Sequence, residues 1–172
     1  KDSVSLRLLS DVPLTSLLSG GIDSGLITYY WNQISNQNHK QVFTLGFNDE
    51  SYDETDNAQL SADKFNIPLI RKVLHQPTLE DLINLYSKID QPIGNSSLIG
   101  AAALFEEVNN YSYKVCLTGD GADELFGGYP TYKMSKLSLI WDLIPKSLSE
   151  ILKKQLLKIP VSYDLISLDY KI

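Results

Sequence analysis

The 172-residue sequence predicts an α/β fold, a parallel sheet of four to five strands with helices on both faces and further helices behind it. Two observations predict it. Short apolar, strand-like runs alternate with segments of helical spacing, the order that builds parallel strands joined by crossover helices. Three of the strand-like runs are followed by segments rich in glycine or acid: "SGGIDS", "GFNDESYDE" and "TGDGADELFGGY". In parallel sheets ligands bind beyond the carboxyl ends of the strands, so these segments are expected to converge at one edge.

The elements follow in order. Val4, Leu8 and Leu9 suggest a short helix, ended by Asp11 and Pro13. "PLTSLL" reads as a buried strand and "SGG" as the break after it. Leu26, Ile27, Tyr30, Trp31 and Ile34 keep helical spacing over 24–34. "SNQNHKQ" is a polar loop and "VFTLGF" a second strand. An acidic loop, "NDESYDETDN", leads into a helix with Ala58, Ala62 and Phe65 on one side. "IPLIRKVL" is a third strand. Leu79, Leu82, Ile83, Tyr86 and Ile89 match a helix with Thr78 as N-cap. After the loop "DQPIGNSS" comes a helix with Leu98, Ala101, Ala102 and Phe105 along one face, then a fourth strand in "YKVCLTG". The remainder is helix-prone, with Ser147 and Glu150 spaced as a capping box. The expected division is an α/β core over 1–135 and a helical extension over 136–172.

Composition narrows the function classes. With 43% hydrophobic and 21% charged residues the chain is expected to be globular, not disordered. A net charge of −6 gives no reason to expect nucleic-acid binding, though a local anion pocket remains compatible with it. The single cysteine, Cys116, rules out an intrachain disulfide and lies in an apolar strand, as a core residue would. No run reaches the ~18 apolar residues of a spanning helix, so no membrane partner is expected and the cytosol is the expected compartment. Neither end shows a start or stop signal, and both are compatible with cuts in a longer chain. His39 and His75 are expected at the surface, Tyr29, Tyr30 and Tyr86 in the core, and "LIWDLI" as either an interface or a core helix. A homodimer is left open.

The turn in "SLLSGGIDSGLITYY" carries the chemistry. Gly20 and Gly21 can take positive φ and bring backbone N–H groups to a ligand. The next helix offers unpaired N–H groups and a positive dipole end, and Ser19 and Ser24 add hydroxyls, which together suit a phosphate or pyrophosphate. Asp23 is the awkward residue, because a carboxylate in an anion site repels the ligand. A Mg²⁺ ion between them removes the conflict. The plainer reading is that Asp23 only caps the helix. In "LTGDGADELFGGYP", Asp120, Asp123 and Glu124 crowd among four glycines, which calls for a cation or a proton unless they are capping acids of a tight turn.

These stretches, "SDVPLTSLLSGGIDS", "FTLGF", "SYDE" and "LTGDGADELFGGYP", in that order and spacing, resemble the synthetase domain of asparagine synthetases. The resemblance runs from the first residues to about Tyr132. The S-G-G-x-D-S loop alone is shared by the wider ATP-pyrophosphatase group; its combination with the upstream D-V-P and the downstream G-D-G-x-D-E-L-F-G-G-Y is specific to the asparagine synthetase-like set.

The resemblance implies a Rossmann-like ATP-pyrophosphatase fold, with ATP and Mg²⁺. Ser19, Gly20, Gly21, Asp23 and Ser24 match the pyrophosphate loop, and Asp23 and Asp123 match the acids that hold Mg²⁺. Leu17 and Leu45 match positions lining adenine, and Thr118 and Gly119 the backbone beside the nucleotide. Asp120 stands where known asparagine synthetases carry a glutamate assigned to proton transfer. Ser96 and Ser97 match a hydroxyl pair in the acceptor loop. The implied reaction adenylates a carboxylate (aspartate) with loss of pyrophosphate, and ammonia then displaces AMP to give an amide.

Three departures stand beside the resemblance. No stretch matches the N-terminal glutaminase domain with its cysteine nucleophile, which is expected elsewhere in the full chain or on a partner. No residue matches the phosphate-contacting lysine of the domain's second half. Ile99 occupies the place of an arginine that meets the aspartate carboxylate, which keeps another acid, such as a sugar carboxylate, as an alternative acceptor. A nucleotide-binding module without turnover is the alternative of another class; the retention of Asp23, Asp120 and Asp123 speaks against it.

Overall fold

β1 (Leu14–Leu17) is the inner strand from which the sheet of this computed structural model is built outward in both directions. The structure describes residues 1–48, 53–91, 93–95, 97–129, 132, 144–145 and 148–150. β1 pairs in parallel with β2 (Val42–Phe47), and β2 with β3 (Leu69–Leu74). The chain then returns across β1 to lay β4 (Val115–Leu117) on its other side, giving the order β3-β2-β1-β4. The parallel four-stranded sheet is the one the sequence predicts. Its strand order reverses between β1 and β4, and the crevice at such a reversal is where open α/β sheets bind ligands.

Strand alternation makes two cores. Leu18, Val42, Leu69 and Leu117 face one way, and Leu17, Phe43, Ile70 and Cys116 the other. The first face is covered by α1 (Asp2–Arg7), α2 (Ile22–Ile34) and α3 (Thr55–Phe65), through Val4, Trp31, Ala58 and Ala62. The second is covered by α5 (Ser97–Asn110), through Leu104 and Val108. Helices therefore stand on both faces, and Cys116 is partly buried against the second core, as expected. Trp31 and Phe43 are fully buried. Removing each from water stabilises the fold by about 1.5–3 kcal/mol.

Several expectations change in detail. Leu9 is not helical: α1 stops at Arg7, and Leu9 is 96% exposed. α2 begins two residues before Ser24. The buried face of α5 is Gly100, Leu104 and Val108, not the row ending in Phe105, which is 47% exposed. Gly100 lets that face come close to the sheet: a Cβ there would lie 2.8 Å from Leu45 Cδ2. Tyr29 and Tyr86 are exposed instead of core. Tyr29 stacks on Tyr30 and Phe65 at the surface, and the Tyr86 hydroxyl donates to the Ile93 carbonyl at 2.9 Å.

Thr78 does cap α4 (Leu79–Tyr86): its hydroxyl accepts from the Asp81 amide at 3.2 Å, and the Asp81 carboxylate accepts from the Thr78 amide at 2.8 Å. His39 and His75 are exposed. Ser147, the boundary at 135/136, all of the "LIWDLI" stretch but Ile144 and nearly all of 136–172 lie outside the described residues.

Two compact units divide the chain, residues 1–119 and 120–172. The sheet and α1–α5 belong to the first; α6 (Ala122–Phe126) belongs to the second. Among the described residues no helix is long and apolar enough to cross a membrane.

Candidate nucleotide site at the β1–β4 switch point

The loop leaving β1 is folded on itself by two serines. The Ser19 amide donates to Ser24 Oγ at 3.2 Å, and the two hydroxyls lie 3.0 Å apart. Gly21 donates its amide to Ser19 Oγ at 3.4 Å, and Ser24 Oγ reaches the Gly21 carbonyl at 3.3 Å. Ser24 is buried and Ser19 exposed, so one hydroxyl pins the loop and the other opens to solvent. Gly20 has φ +84°, the left-handed conformation that glycine adopts without a Cβ penalty. Gly21 is the N-cap of α2 with φ −73° and no side-chain capping bond, which leaves first-turn N–H groups of α2 available to a ligand.

Asp23 lies in the first turn of α2, two residues past the N-cap. It is half-buried and is not the N-cap residue, which is Gly21. As an acid in the first turn it also suits the positive end of the helix dipole, so the plainer reading stands beside the cation reading.

Gly119, just after β4, comes against the same helix start: a Cβ on it would sit 3.0 Å from the Ser24 amide nitrogen. Ser19, Gly20, Gly21, Asp23, Ser24 and Gly119 are thus brought together at the switch point. Thr118 precedes Gly119 and is half-buried. Leu17 and Leu45 both pack into the second core at the carboxyl ends of their strands, each partly buried. Ser97 opens α5 with its amide donating to Asn95 Oδ1 at 2.9 Å. Ser96 lies outside the described residues.

Asp120 and Asp123 belong to the second unit. There the turn is set by Gly121 at φ +88° before α6 and Gly127 at φ +69° after it. The Gly128 amide donates to the Asp123 carbonyl at 3.0 Å, and the Asp123 carboxylate lies where a side chain on residue 128 would project. Glu124 accepts from the Tyr129 hydroxyl at 2.8 Å, so one of the three crowded acids already has a donor. That bond, with the negative charge of Glu124, pushes the Tyr129 phenol up to about 12. Among the described residues no group of three or more His, Cys, Asp or Glu side chains is gathered as a metal site.

The asparagine synthase family model matches residues 1–168. The chain belongs to that family. It is 32% identical over 154 residues to asparagine synthetase [glutamine-hydrolyzing] 1 of Bacillus subtilis, an alignment covering 88% of this chain and 24% of that protein. To the putative asparagine synthetase [glutamine-hydrolyzing] 2 of Methanocaldococcus jannaschii it is 34% identical over 132 residues, covering 76% and 25%. The chain thus spans about a quarter of the length of the curated relatives it matches. Among solved structures, the NH3-dependent NAD synthetase of Campylobacter jejuni aligns with TM-score 0.46 and 16% identity, over 76% of this chain and 58% of that one.

Within this family member, the residues that support the loop from below escaped the sequence reading. Gly20 rests on the first turn of α3, where a Cβ would come 2.7 Å from Asn57 Cβ and 2.9 Å from the Ala58 nitrogen. That turn is held by Asp53, whose carboxylate accepts from the Thr55 hydroxyl, from the Thr55 amide at 3.1 Å and from the Arg71 guanidinium. The Thr55 hydroxyl above all, with the Thr55 amide, the Arg71 charge and the Phe47 amide, holds the Asp53 carboxyl below the ordinary aspartate range, and burial, second in size, opposes them. Arg71 reaches Asp53 by crossing Gly46, where any Cβ would meet its guanidinium and lie 3.1 Å from Thr55 Oγ1. The signal was present: a lone glycine inside a strand marks a close approach.

Proposed function

We propose that this chain is the nucleotide-binding part of a synthetase domain that uses ATP to activate a carboxylate and transfers ammonia to it. The observation that carries this reading is the Ser19–Ser24 loop, with Gly20 left-handed, Gly21 as an N-cap without a side chain, and the Asp23 carboxylate in the first turn of α2. The names of the similar proteins, asparagine synthetases, support the same reading.

In the proposed reaction a carboxylate oxygen of the acceptor attacks the α-phosphorus of ATP, and pyrophosphate leaves. Ammonia nitrogen then attacks the acyl carbon, and AMP leaves with the bonding pair of the acyl–oxygen bond. Ser19, Gly20, Gly21 and Ser24 would bind the departing pyrophosphate by N–H and O–H donors aimed at its developing charge. Leu17 and Leu45 would line the adenine, and Thr118 and Gly119 would lie beside the nucleotide. Asp120 would take a proton from the attacking nitrogen. Ser96 and Ser97 would contact the acceptor.

A half-buried carboxylate, Asp23, beside a loop too tight for a side chain at residue 20 supports a Mg²⁺ ion there. Asp23 and Asp123 would hold the ion, which when bound neutralises phosphate charge. A glutaminase domain in the full chain or on a partner would supply the ammonia, and the cytosol is the proposed compartment.

One observation favours a second acceptor. Ile99 is a half-buried apolar residue of α5, and it cannot bind a carboxylate as an arginine would. Aspartate is therefore proposed beside a different acid, such as a sugar carboxylate. Exchange of labelled pyrophosphate into ATP by the intact protein, with aspartate and with a panel of other acids, decides between them. Exchange that strictly requires aspartate removes the second acceptor. Absence of exchange with every acid removes the enzyme reading and leaves a nucleotide-binding module.

A further inference from the structure

We infer that Arg71 and Asp53 are positioning residues for the pyrophosphate loop, setting nucleotide affinity through the first turn of α3 without touching the nucleotide. The inference rests on the nucleotide reading of the loop given above.

The chain of contacts is short. Gly20 has no spare space: its backbone lies so close to Asn57 and Ala58 that a methyl group would come within 2.9 Å of the Ala58 amide nitrogen. The place of the loop is therefore dictated by the place of the α3 first turn. That turn follows a single side chain, Asp53, which binds the Thr55 amide and hydroxyl with one oxygen and Arg71 with the other. Arg71 is on β3, in register with Thr44 of β2, so the sheet itself is the anchor. Its guanidinium lies across Gly46, a route that a side chain at 46 would block. Sheet, Arg71, Asp53, Thr55, Asn57 and Gly20 then form one continuous linkage.

This linkage differs from a plain surface ion pair. Arg71 is 45% exposed, and pairs of that kind add little to global stability. Its value lies in geometry. A loop already held in its binding geometry avoids the ordering cost that a loosened loop meets when the nucleotide binds. The expectation is thus a nucleotide effect larger than the stability effect.

The test uses the intact protein with Arg71→Met, which keeps the aliphatic stem over Gly46 and loses the charge, Arg71→Lys, which keeps the charge, and Asp53→Asn. Binding of Mg·ATP is measured by calorimetry, KM for ATP and for the acceptor by pyrophosphate release, and amide hydrogen exchange at residues 19–24 and 55–58 without nucleotide. Arg71→Met is expected to weaken ATP by roughly tenfold, with KM for the acceptor and kcat at saturating ATP near wild type. Arg71→Lys should recover most of the loss. The double variant with Asp53→Asn should be no worse than the poorer single one, because both cut the same linkage.

Exchange should rise at 55–58 and at 19–24 together in Arg71→Met. Wild-type exchange at both segments in Arg71→Met overturns the inference. So does an equal loss toward ATP and acceptor that lysine fails to rescue, which is the mark of general destabilisation. If wild-type protein binds no ATP, the nucleotide reading fails by itself, while the linked exchange still decides whether Arg71 positions the loop.

Discussion

Replacing Gly20 with alanine places a methyl group in the tightest contact around the loop. Two effects add. Left-handed backbone with a Cβ is strained by about 1–2 kcal/mol. The new Cβ would also lie 2.7 Å from Asn57 Cβ and 2.9 Å from the Ala58 nitrogen, and the second of these is backbone that cannot rotate away. Overpacking of that kind costs about 1–3 kcal/mol, so the sum is about 2–5 kcal/mol.

Two neighbouring glycines supply controls on the same helix entry. Gly21 has φ −73°, and a Cβ there meets only Ser19 Oγ, at an ordinary 3.4 Å. Gly21→Ala should cost under about 1 kcal/mol. Gly25 lies inside α2 with nothing within 4 Å of a new Cβ. Gly25→Ala should stabilise by about 0.5–1 kcal/mol through helix propensity and a less flexible unfolded chain. Equilibrium urea unfolding of the intact protein, followed by circular dichroism, gives the order. Equal stability of Gly20→Ala and Gly21→Ala would refute the close approach of the loop to α3, and with it the geometric basis of the candidate site.

Two further outcomes follow from side chains outside the loop. Ser16 and Thr28 share a buried hydrogen bond at 2.8 Å between β1 and α2. Thr28→Val leaves the Ser16 hydroxyl with only a 3.5 Å reach to the Leu117 carbonyl and should cost about 1–2 kcal/mol, while adding Ser16→Ala should add little; urea unfolding that shows the two losses simply adding would show the pair uncoupled. The Tyr129 phenol, raised to about 12 by Glu124, should appear as a component titrating near pH 12 in the ultraviolet difference between wild type and Tyr129→Phe. Because the folded pKa lies above the unfolded one, this contact is fully present below about pH 10 and is lost as pH rises through 12. A component at ordinary phenol pH would mean that the contact with Glu124 does not form in solution.

The fold was legible because parallel strands write themselves plainly. "VFTLGF" and "IPLIRKVL" give a residue to each face in turn, and no other arrangement buries both sets. Helix faces were less legible. In α5 the alanines blur the boundary between inner and outer rows, so the choice fell on Phe105, whereas the buried row runs through Gly100, which lets the helix come close to the sheet.

The tyrosines misled for a related reason. A phenol satisfies the spacing of an apolar face while its hydroxyl keeps it at the surface, as Tyr86 does with Ile93. At the site, residues in the loop's own motif could be read from the sequence. The link from Arg71 through Asp53 to Thr55 was marked only by the lone glycine at 46, because its members come from different elements and meet only when β3 is laid beside β2.

Asp23 separates the nucleotide reading from a simple anion site by a reversal of sign. Its carboxylate is half-buried in the first turn of α2. Without a divalent cation, a polyphosphate in the loop is repelled by it, and at a partly solvated separation of about 5 Å each phosphate charge contributes about 1–3 kcal/mol of repulsion before salt screening. Asp23→Asn in chelator should therefore bind ATP more tightly than wild type, by roughly tenfold. With excess Mg²⁺ the order should invert, because wild type gains a cation ligand that asparagine supplies poorly.

The measurement is ATP affinity of the intact protein by calorimetry, in chelator and in Mg²⁺, for both forms. A structural role for Asp23 would weaken binding in both conditions, and a residue remote from the phosphates would change neither. Only a carboxylate facing the phosphates and sharing a cation with them gives opposite signs. An unchanged order would remove Asp23 from the cation site and return the loop to an ordinary strand–helix turn.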